Sequence, residues 1–244
     1  MIDSIAYYHE HGIVRLPNVF TKEEVDKIRA SALMSLRKPL QLQERDVDGV
    51  VFPALLFWPA KEDAYLNQIR TDARLATIVK QFLGPNVKQL NNQIYYRLPG
   101  DKDQFAWHQD VTFRTPAHEF PGVEDKYLQT IIVVDPINED NAAVEFIPGT
   151  HKQGDLGLIG RDGMQTGLRE FKRLGKQGIK LYANPGDVLI WSVMIVHGSE
   201  ENLSSTMRMT YMNGFAASDA APNYPMYLKD GDVVPTIDPD ARTS

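Results

Sequence analysis

Apolar positions recur with a helical period near the N-terminus and with a strand period beyond it. Val25, Ile28, Ala32 and Leu36 fall on one helical face. They follow a T-x-x-E start at Thr21 and Glu24, the pattern of a capping box, with Phe20 and Val25 placed as a hydrophobic staple. A second helix is predicted after Thr71, with Leu75, Ile78, Val79 and Phe82 on its buried side and Gly84-Pro85 as its stop. Between the two, VVFPALLFWPA is apolar and interrupted by proline, which reads as a strand or a loop lining a cavity. From Lys88 onward short β-rich runs are predicted at 89–96, 128–134, 143–147, 180–183, 188–193 and 208–215. Turn signals separate them at Pro99-Gly100, Pro121-Gly122, 138–141, Pro148-Gly149 and Pro185-Gly186-Asp187. Many short strands at this spacing favour a sandwich or barrel over a βαβ sheet, and helices first with strands after give an α+β, mainly β order.

Composition narrows the reading in three ways. The chain has 244 residues, 43% of them hydrophobic, which is ordinary globular usage and suits one domain covering 1–244. Within it a helical part of about 1–87, a β-barrel core of about 88–217 and a C-terminal tail of 218–244 are expected. There is no cysteine, so any metal must be held by nitrogen and oxygen. A net charge of −6 argues against a broad nucleic-acid surface, and no apolar run approaches the length of a membrane span. The start MIDSIAYYHEHG lacks the layout of a secretory signal, so a cytoplasmic protein acting on a small molecule, with no nucleic-acid or membrane partner, is expected.

Three features carry chemistry. WHQD supplies an H-x-D triplet, His108 and Asp110, whose side chains converge if the segment is extended. His197 closes the apolar run VLIWSVMIV and is expected at the end of that strand. Two imidazoles and one carboxylate make a facial triad that holds Fe(II) and leaves positions open. Arg208 begins an apolar strand, where burying its charge is costly unless it meets a carboxylate that its planar fork can grip. His151 reads as structural, His9, His11 and His118 as surface or loop residues, and Met194, Met207, Met209 and Met212 as core filler.

The order H-x-D, then H-G-S-x-x-N-x-S, then an arginine in the following strand resembles the phytanoyl-CoA dioxygenase family of Fe(II)/2-oxoglutarate oxygenases. YYHEHGIVRLPNVFTKEEVDKIR, Leu83-Gly84-Pro85, Asn138-Glu139-Asp140-Asn141 with FIPGTHKQG, and NPGDVLIW extend the likeness over about 1–215. The resemblance implies a double-stranded β-helix (jelly-roll, cupin-like) barrel with N-terminal helices packed on it. It implies Fe(II), 2-oxoglutarate and O2 as cofactors, with His108, Asp110 and His197 as metal ligands and Arg208 on the far carboxylate of 2-oxoglutarate. Ser199 matches a cosubstrate contact in relatives, and Thr210 shares the strand face of Arg208. Where some members carry a tryptophan beside the cosubstrate this chain has Ile131, with Gln129 on the same face.

The implied reaction is hydroxylation, desaturation or cyclisation of a small organic molecule, a natural-product intermediate by preference, with release of succinate and CO2. Asp110 argues against halogenation, which in this family needs that carboxylate replaced. A non-catalytic metal-binding sensor barrel and a cupin-like isomerase are the alternatives; neither needs Arg208. Phe57, Trp58, Phe105, Trp107, Phe113, Trp191 and Phe215 are expected to line the substrate pocket, and Arg114 to meet an anionic group. The glycine-rich stretch 154–178 is expected to act as a lid, closing with Leu156, Leu158, Ile159, Met164, Leu168 and Phe171.

Overall fold

A computed structural model describes residues 2–37, 42–47, 50–100, 105–114, 116–157 and 178–237. In chain order the first part comprises α1 (Ile2–His11), β1 (Ile13–Leu16), α2 (Lys22–Ser35), β2 (Leu42–Val47), β3 (Val50–Phe57), α3 (Ala64–Arg70), α4 (Ala73–Leu83) and β4 (Val87–Arg97). Then follow β5 (Phe105–His108), α5 (Val123–Lys126), β6 (Tyr127–Val133), β7 (Val144–Ile147), β8 (Ile179–Lys180), β9 (Val188–Ser192), β10 (Val196–Ser199), β11 (Arg208–Ala217), β12 (Met226–Lys229) and β13 (Asp232–Val233).

The strands form two antiparallel sheets. The larger runs β1-β9-β6-β11-β4-β12-β13, with β3 also on β4 and β2 on β3; the smaller runs β5-β10-β7-β8. Strand alternation gives the larger sheet two different faces. On its outer face Leu56, Ile94, Tyr96, Leu128, Ile132, Ile190, Met209, Tyr211 and Phe215 pack with Val25, Ile28 and Ala32 of α2 and Leu75, Ile78 and Val79 of α4. Its inner face contributes Ile131, Val133, Leu189 and Trp191 to a second cluster with Phe146 of the smaller sheet. Helices therefore cover one side, and the two sheets enclose the other, the jelly-roll arrangement expected.

The helix signals hold. Thr21 caps α2 through its side chain, and Glu24 returns a bond from Thr21 N at 2.8 Å, a complete capping box. The second helix starts one residue later than the apolar pattern suggests, because Asp72 supplies its cap to Arg74 N at 2.9 Å. Three further helices, α1, α3 and α5, have no counterpart in the predicted pattern. At seven residues α3 is too short for its period to show, and Asp63 starts it by accepting from Tyr65 N and Leu66 N. The proline-interrupted segment resolves as β3. Strands also enter the larger sheet from both flanks of the expected core: β1 pairs with β9, and β12 with β4.

Two strand boundaries differ from the sequence reading. The run expected at 180–183 keeps only Ile179–Lys180 as strand; Ala183 forms an isolated bridge to Ile137 before Pro185, which has no N–H to extend a ladder. The apolar run through His197 is not one strand. It breaks at Val193, Met194 and Ile195, where Ile195 N reaches Ser192 O at 3.0 Å, and the chain crosses from the larger sheet to the smaller. These turn residues are themselves buried, so no polar residue marks the bend. Gly186 has φ +93°, and a Cβ there would strike the Phe20 carbonyl, which explains the glycine in the turn leading to β9.

Candidate active site

The three residues of the candidate triad arrive by different routes. His108 ends β5, and His197 faces it across the β5–β10 pair. Asp110 does not lie on the strand: it opens a 3-10 turn, Asp110–Phe113. The convergence expected of H-x-D survives because Gln109 keeps an extended backbone, φ −114° and ψ 134°. Gln109 is buried and holds the bend. Its Nε2 donates to Met194 O at 2.6 Å and Gly154 O at 3.0 Å, and its Oε1 accepts from Leu156 N at 2.7 Å. The β10 strand is seated by Thr150, whose hydroxyl donates to Ile147 O at 2.7 Å and accepts from Val196 N at 2.9 Å.

One ligand atom from each of His108, Asp110 and His197 lies within 4.8 Å of the others. Asp110 Oδ1 stands 3.5 Å from His108 Nε2 and 3.7 Å from His197 Nε2. His197 Nδ1 faces the Ile195 carbonyl at 3.0 Å; a carbonyl only accepts, so the proton sits on Nδ1 and Nε2 presents its lone pair. Burial, aided by the neighbouring His108, pushes the His197 imidazole down to about 4, so it is neutral near pH 7. Burial would raise the Asp110 carboxyl, but His197, His108 and Arg114 together hold it well below the usual range. A neutral imidazole with a free nitrogen and an ionised carboxylate are what a divalent iron requires.

The outer oxygen of that carboxylate is also occupied. Trp191 Nε1 donates to Asp110 Oδ2 at 3.0 Å, leaving Oδ1 toward the imidazoles. Trp191 is buried against Phe146 and His197, with ring centroids 5.6 and 5.7 Å away. The tryptophan read as a pocket wall therefore also supports a ligand.

The remaining predicted residues divide clearly. Arg208 and Thr210 are buried at the start of β11, on the face opposite Met209 and Tyr211, and so inside the barrel. Ile131 is inside as well, opposite Met212 and Leu189, and Gln129 shares its face. Ser199 is buried two residues beyond His197 on β10. Phe113 is 56% exposed with its ring edge-on to His108 at 5.5 Å, and Phe57, half-buried, is paired with Gln93 of β4. Trp107 packs against the buried pair Ile147 and Val196, as does Leu156. Trp58 is buried with Lys61 Nζ 5.7 Å over its ring. Phe105 is paired with Ser199 in the ladder. Phe215 corrects the reading. It is fully buried in the helix-side core, 4.4 Å from the Tyr227 ring, because period two puts it with Met209 and Tyr211 rather than with Arg208.

Sequence reasoning missed a polar cluster on the inner face. Tyr127 donates to Gln129 Oε1 at 2.5 Å and accepts from Arg114 at 2.8 Å and Asn91 at 3.3 Å. Gly214 leaves room for it, since a Cβ there would collide with the Tyr127 hydroxyl and Asn91. Burial pushes the Tyr127 phenol up to about 12, so it stays protonated. The alternating polar residues of β4, Asn91, Gln93 and Tyr95, were the available signal for a wet inner face.

Residues 8–210 match the family model described as Phytanoyl-CoA dioxygenase (PhyH). The chain belongs to the phytanoyl-CoA dioxygenase family. A relative from Stutzerimonas stutzeri, described as a probable alpha-ketoglutarate-dependent hypophosphite dioxygenase, is 27% identical over 88% of this chain and 78% of its own length. The structure of EctD from S. alaskensis with 2-oxoglutarate and 5-hydroxyectoine has TM-score 0.75 at 19% identity, covering 99% of this chain and 83% of that one. The epimerase SnoN, solved with Fe3+, alpha ketoglutarate and nogalamycin RO, has TM-score 0.73 at 15% identity over 99% and 93%. The family member described here is a 2-oxoglutarate-dependent non-haem iron dioxygenase, with Fe(II), 2-oxoglutarate and O2 as its cofactors, and it acts on a small molecule. Among the described residues no helix is long and apolar enough to cross a membrane. The lid expected at 154–178 lies, from 158 to 177, outside the described residues.

Proposed function

We propose that His108, Asp110 and His197 hold the Fe(II), that Arg208 anchors the far carboxylate of 2-oxoglutarate, and that Ser199, Thr210, Gln129 and Ile131 surround that cosubstrate. The carrying observation is the convergence within 4.8 Å of two imidazoles and one ionised carboxylate, from the end of β5, the turn that follows it and the distant strand β10. Bound there, the iron supplies oxygen activation coupled to decarboxylation of 2-oxoglutarate to succinate and CO2. The protein's part is to fix the ligands, hold the cosubstrate and aim one substrate C–H bond. Trp191 keeps Asp110 in place; the His197 Nδ1–H bond to Ile195 O fixes the ring. Arg208, at 5% exposure, keeps its guanidinium within the barrel, where a carboxylate is its natural counterpart.

The substrate is a natural-product intermediate in this reading, oxidised by hydroxylation, desaturation or cyclisation in the cytoplasm. Support comes from the likeness to SnoN, solved in complex with nogalamycin RO, and from the aromatic side chains of Phe113, edge-on to His108, and Phe57, paired with Gln93 of β4. Asp110 fills the position a halide would need, so product formed with chloride present carries no halogen. The test is succinate release from 2-oxoglutarate in air: wild type forms it, and His197→Ala does not, while thermal unfolding of the metal-free protein is unchanged. Undiminished succinate from His197→Ala would overturn the assignment.

A further inference from the structure

The turn that carries Asp110 bears two polar atoms that the fold leaves unanswered. Thr112 Oγ1 and Arg114 Nε are both shielded from solvent and have no hydrogen-bond partner. Neither belongs to the metal-ligand set or to the cosubstrate residues assigned above.

Arg114 is held rather than loose. One terminal nitrogen donates to the Tyr127 hydroxyl at 2.8 Å, and Cζ lies 5.0 Å from the centre of the Tyr127 ring. Tyr127 is fixed in turn: its proton goes to Gln129 Oε1, and Asn91 donates to both Tyr127 Oη at 3.3 Å and Gln129 Oε1 at 3.1 Å. Gln129 Nε2 closes the ring by donating to Asn91 Oδ1 at 3.2 Å. All the partners in this cluster are neutral. No carboxylate of the described residues forms an ion pair with Arg114, although its charge contributes to holding Asp110 ionised. A guanidinium taken out of water without an anion is costly, and a fold that positions one so carefully leaves its remaining N–H groups for a ligand.

We propose that Arg114, with the Thr112 hydroxyl of the same turn, binds an oxyanion of the substrate, so that the substrate class is a small molecule bearing a carboxylate, phosphonate or phosphate group. This rests on reading His108, Asp110 and His197 as the metal site. Arg114 sits four residues after Asp110, so an anion held there places the rest of the substrate beside the metal ligands. Phe113, exposed and edge-on to His108, offers an apolar surface for the substrate body. Two arginines then divide two anions: Arg208 takes the cosubstrate and Arg114 the substrate.

The test uses the whole protein loaded with Mn(II), which does not turn over, and 2-oxoglutarate. Acetate and methylphosphonate, one planar and one tetrahedral oxyanion, are titrated by calorimetry into wild type, Arg114→Gln and Arg114→Lys. Wild type is expected to bind at least one of them saturably. Arg114→Gln is expected to bind it at least about tenfold more weakly, as loss of a charge-assisted bond requires. Arg114→Lys, which keeps the charge, is expected to fall between, and all three proteins to bind 2-oxoglutarate within about twofold of one another. Equal anion affinity in wild type and Arg114→Gln, or no saturable binding to wild type, overturns the inference. Loss of 2-oxoglutarate binding in Arg114→Gln also overturns it, by making Arg114 the cosubstrate anchor while the metal assignment stands. Failure of wild type to take up Mn(II) would appear before any anion is added and would remove the metal reading on which the inference rests.

Discussion

Through its bond to Asp110, Trp191 would act on the metal from outside the proposed ligand set. Asp110 has two oxygens, and the indole N–H at 3.0 Å occupies the outer one, so a metal meets a single, oriented oxygen. Trp191→Phe keeps most of the packing against Phe146 and removes only the donor. It should weaken Fe(II) binding by about 10–100-fold, the usual cost of losing a hydrogen bond to a ligand. Competition with a chelator measures it; unchanged affinity would show that Asp110 is oriented by other means. For the cosubstrate, Arg208→Lys should raise the half-saturating 2-oxoglutarate concentration by roughly tenfold or more, since lysine keeps the charge and loses the fork. An unchanged value would remove Arg208 from that role. At this scale the sequence displayed candidate ligands but not the residues that position them. An H-x-D triplet and a strand-initial arginine are legible as residue types, whereas Gln109 reads as a spacer and Trp191 as a pocket wall. Their roles exist only once Met194 O and Asp110 Oδ2 have been brought to them.

Elements were legible where one local signal sufficed. The capping box at Thr21 and the apolar stripe of Leu75, Ile78 and Val79 fixed two helices, and β4, β6, β9 and β11 all lie within a few residues of their expected limits. The failures share a cause. The bend between β9 and β10 is made of Val193, Met194 and Ile195, all buried, and a bend without polar residues has no mark in a hydrophobic pattern. Aromaticity alone points Phe215 to the pocket, whereas its strand parity, shared with Met209, puts it in the helix-side core. The capping box also carries a pH signature. Hydrogen bonds from Arg74 and from Thr21 N hold the Glu24 carboxyl down to about 2, below its ordinary 4.5. A depressed carboxylate stabilises the fold above its unfolded value, and that contribution disappears as pH falls from about 4.5 through about 2. The pair is partly exposed, so solvent screening holds it to about 1 kcal/mol. Glu24→Gln should therefore unfold more easily than wild type at pH 7, and the gap should close as the pH is lowered through that window. Chemical denaturation across that pH range measures the gap, and a constant gap would show that the Glu24 charge contributes nothing.

At the scale of the molecule, the larger sheet acts as a partition. Its outer face is sealed by α2, α3 and α4, and its inner face, with the smaller sheet, encloses Trp191, Arg208, Thr210, Gln129 and the three metal-binding candidates. The motif order along the chain pointed to this barrel, but the contribution of β1 and β12 to the sheet did not show, because strands only four residues long are set by the partners they find. Two strands and a turn bring His108, Asp110 and His197 together, where one Fe(II) is proposed to bind. Anaerobic Fe(II) titration of the metal-free protein, read by equilibrium dialysis, tests it most directly. Wild type should bind one Fe(II) per chain, and His108→Ala, Asp110→Ala and His197→Ala should each lose that binding while still unfolding in a single cooperative transition. Undiminished Fe(II) binding in any one of the three variants would contradict the account.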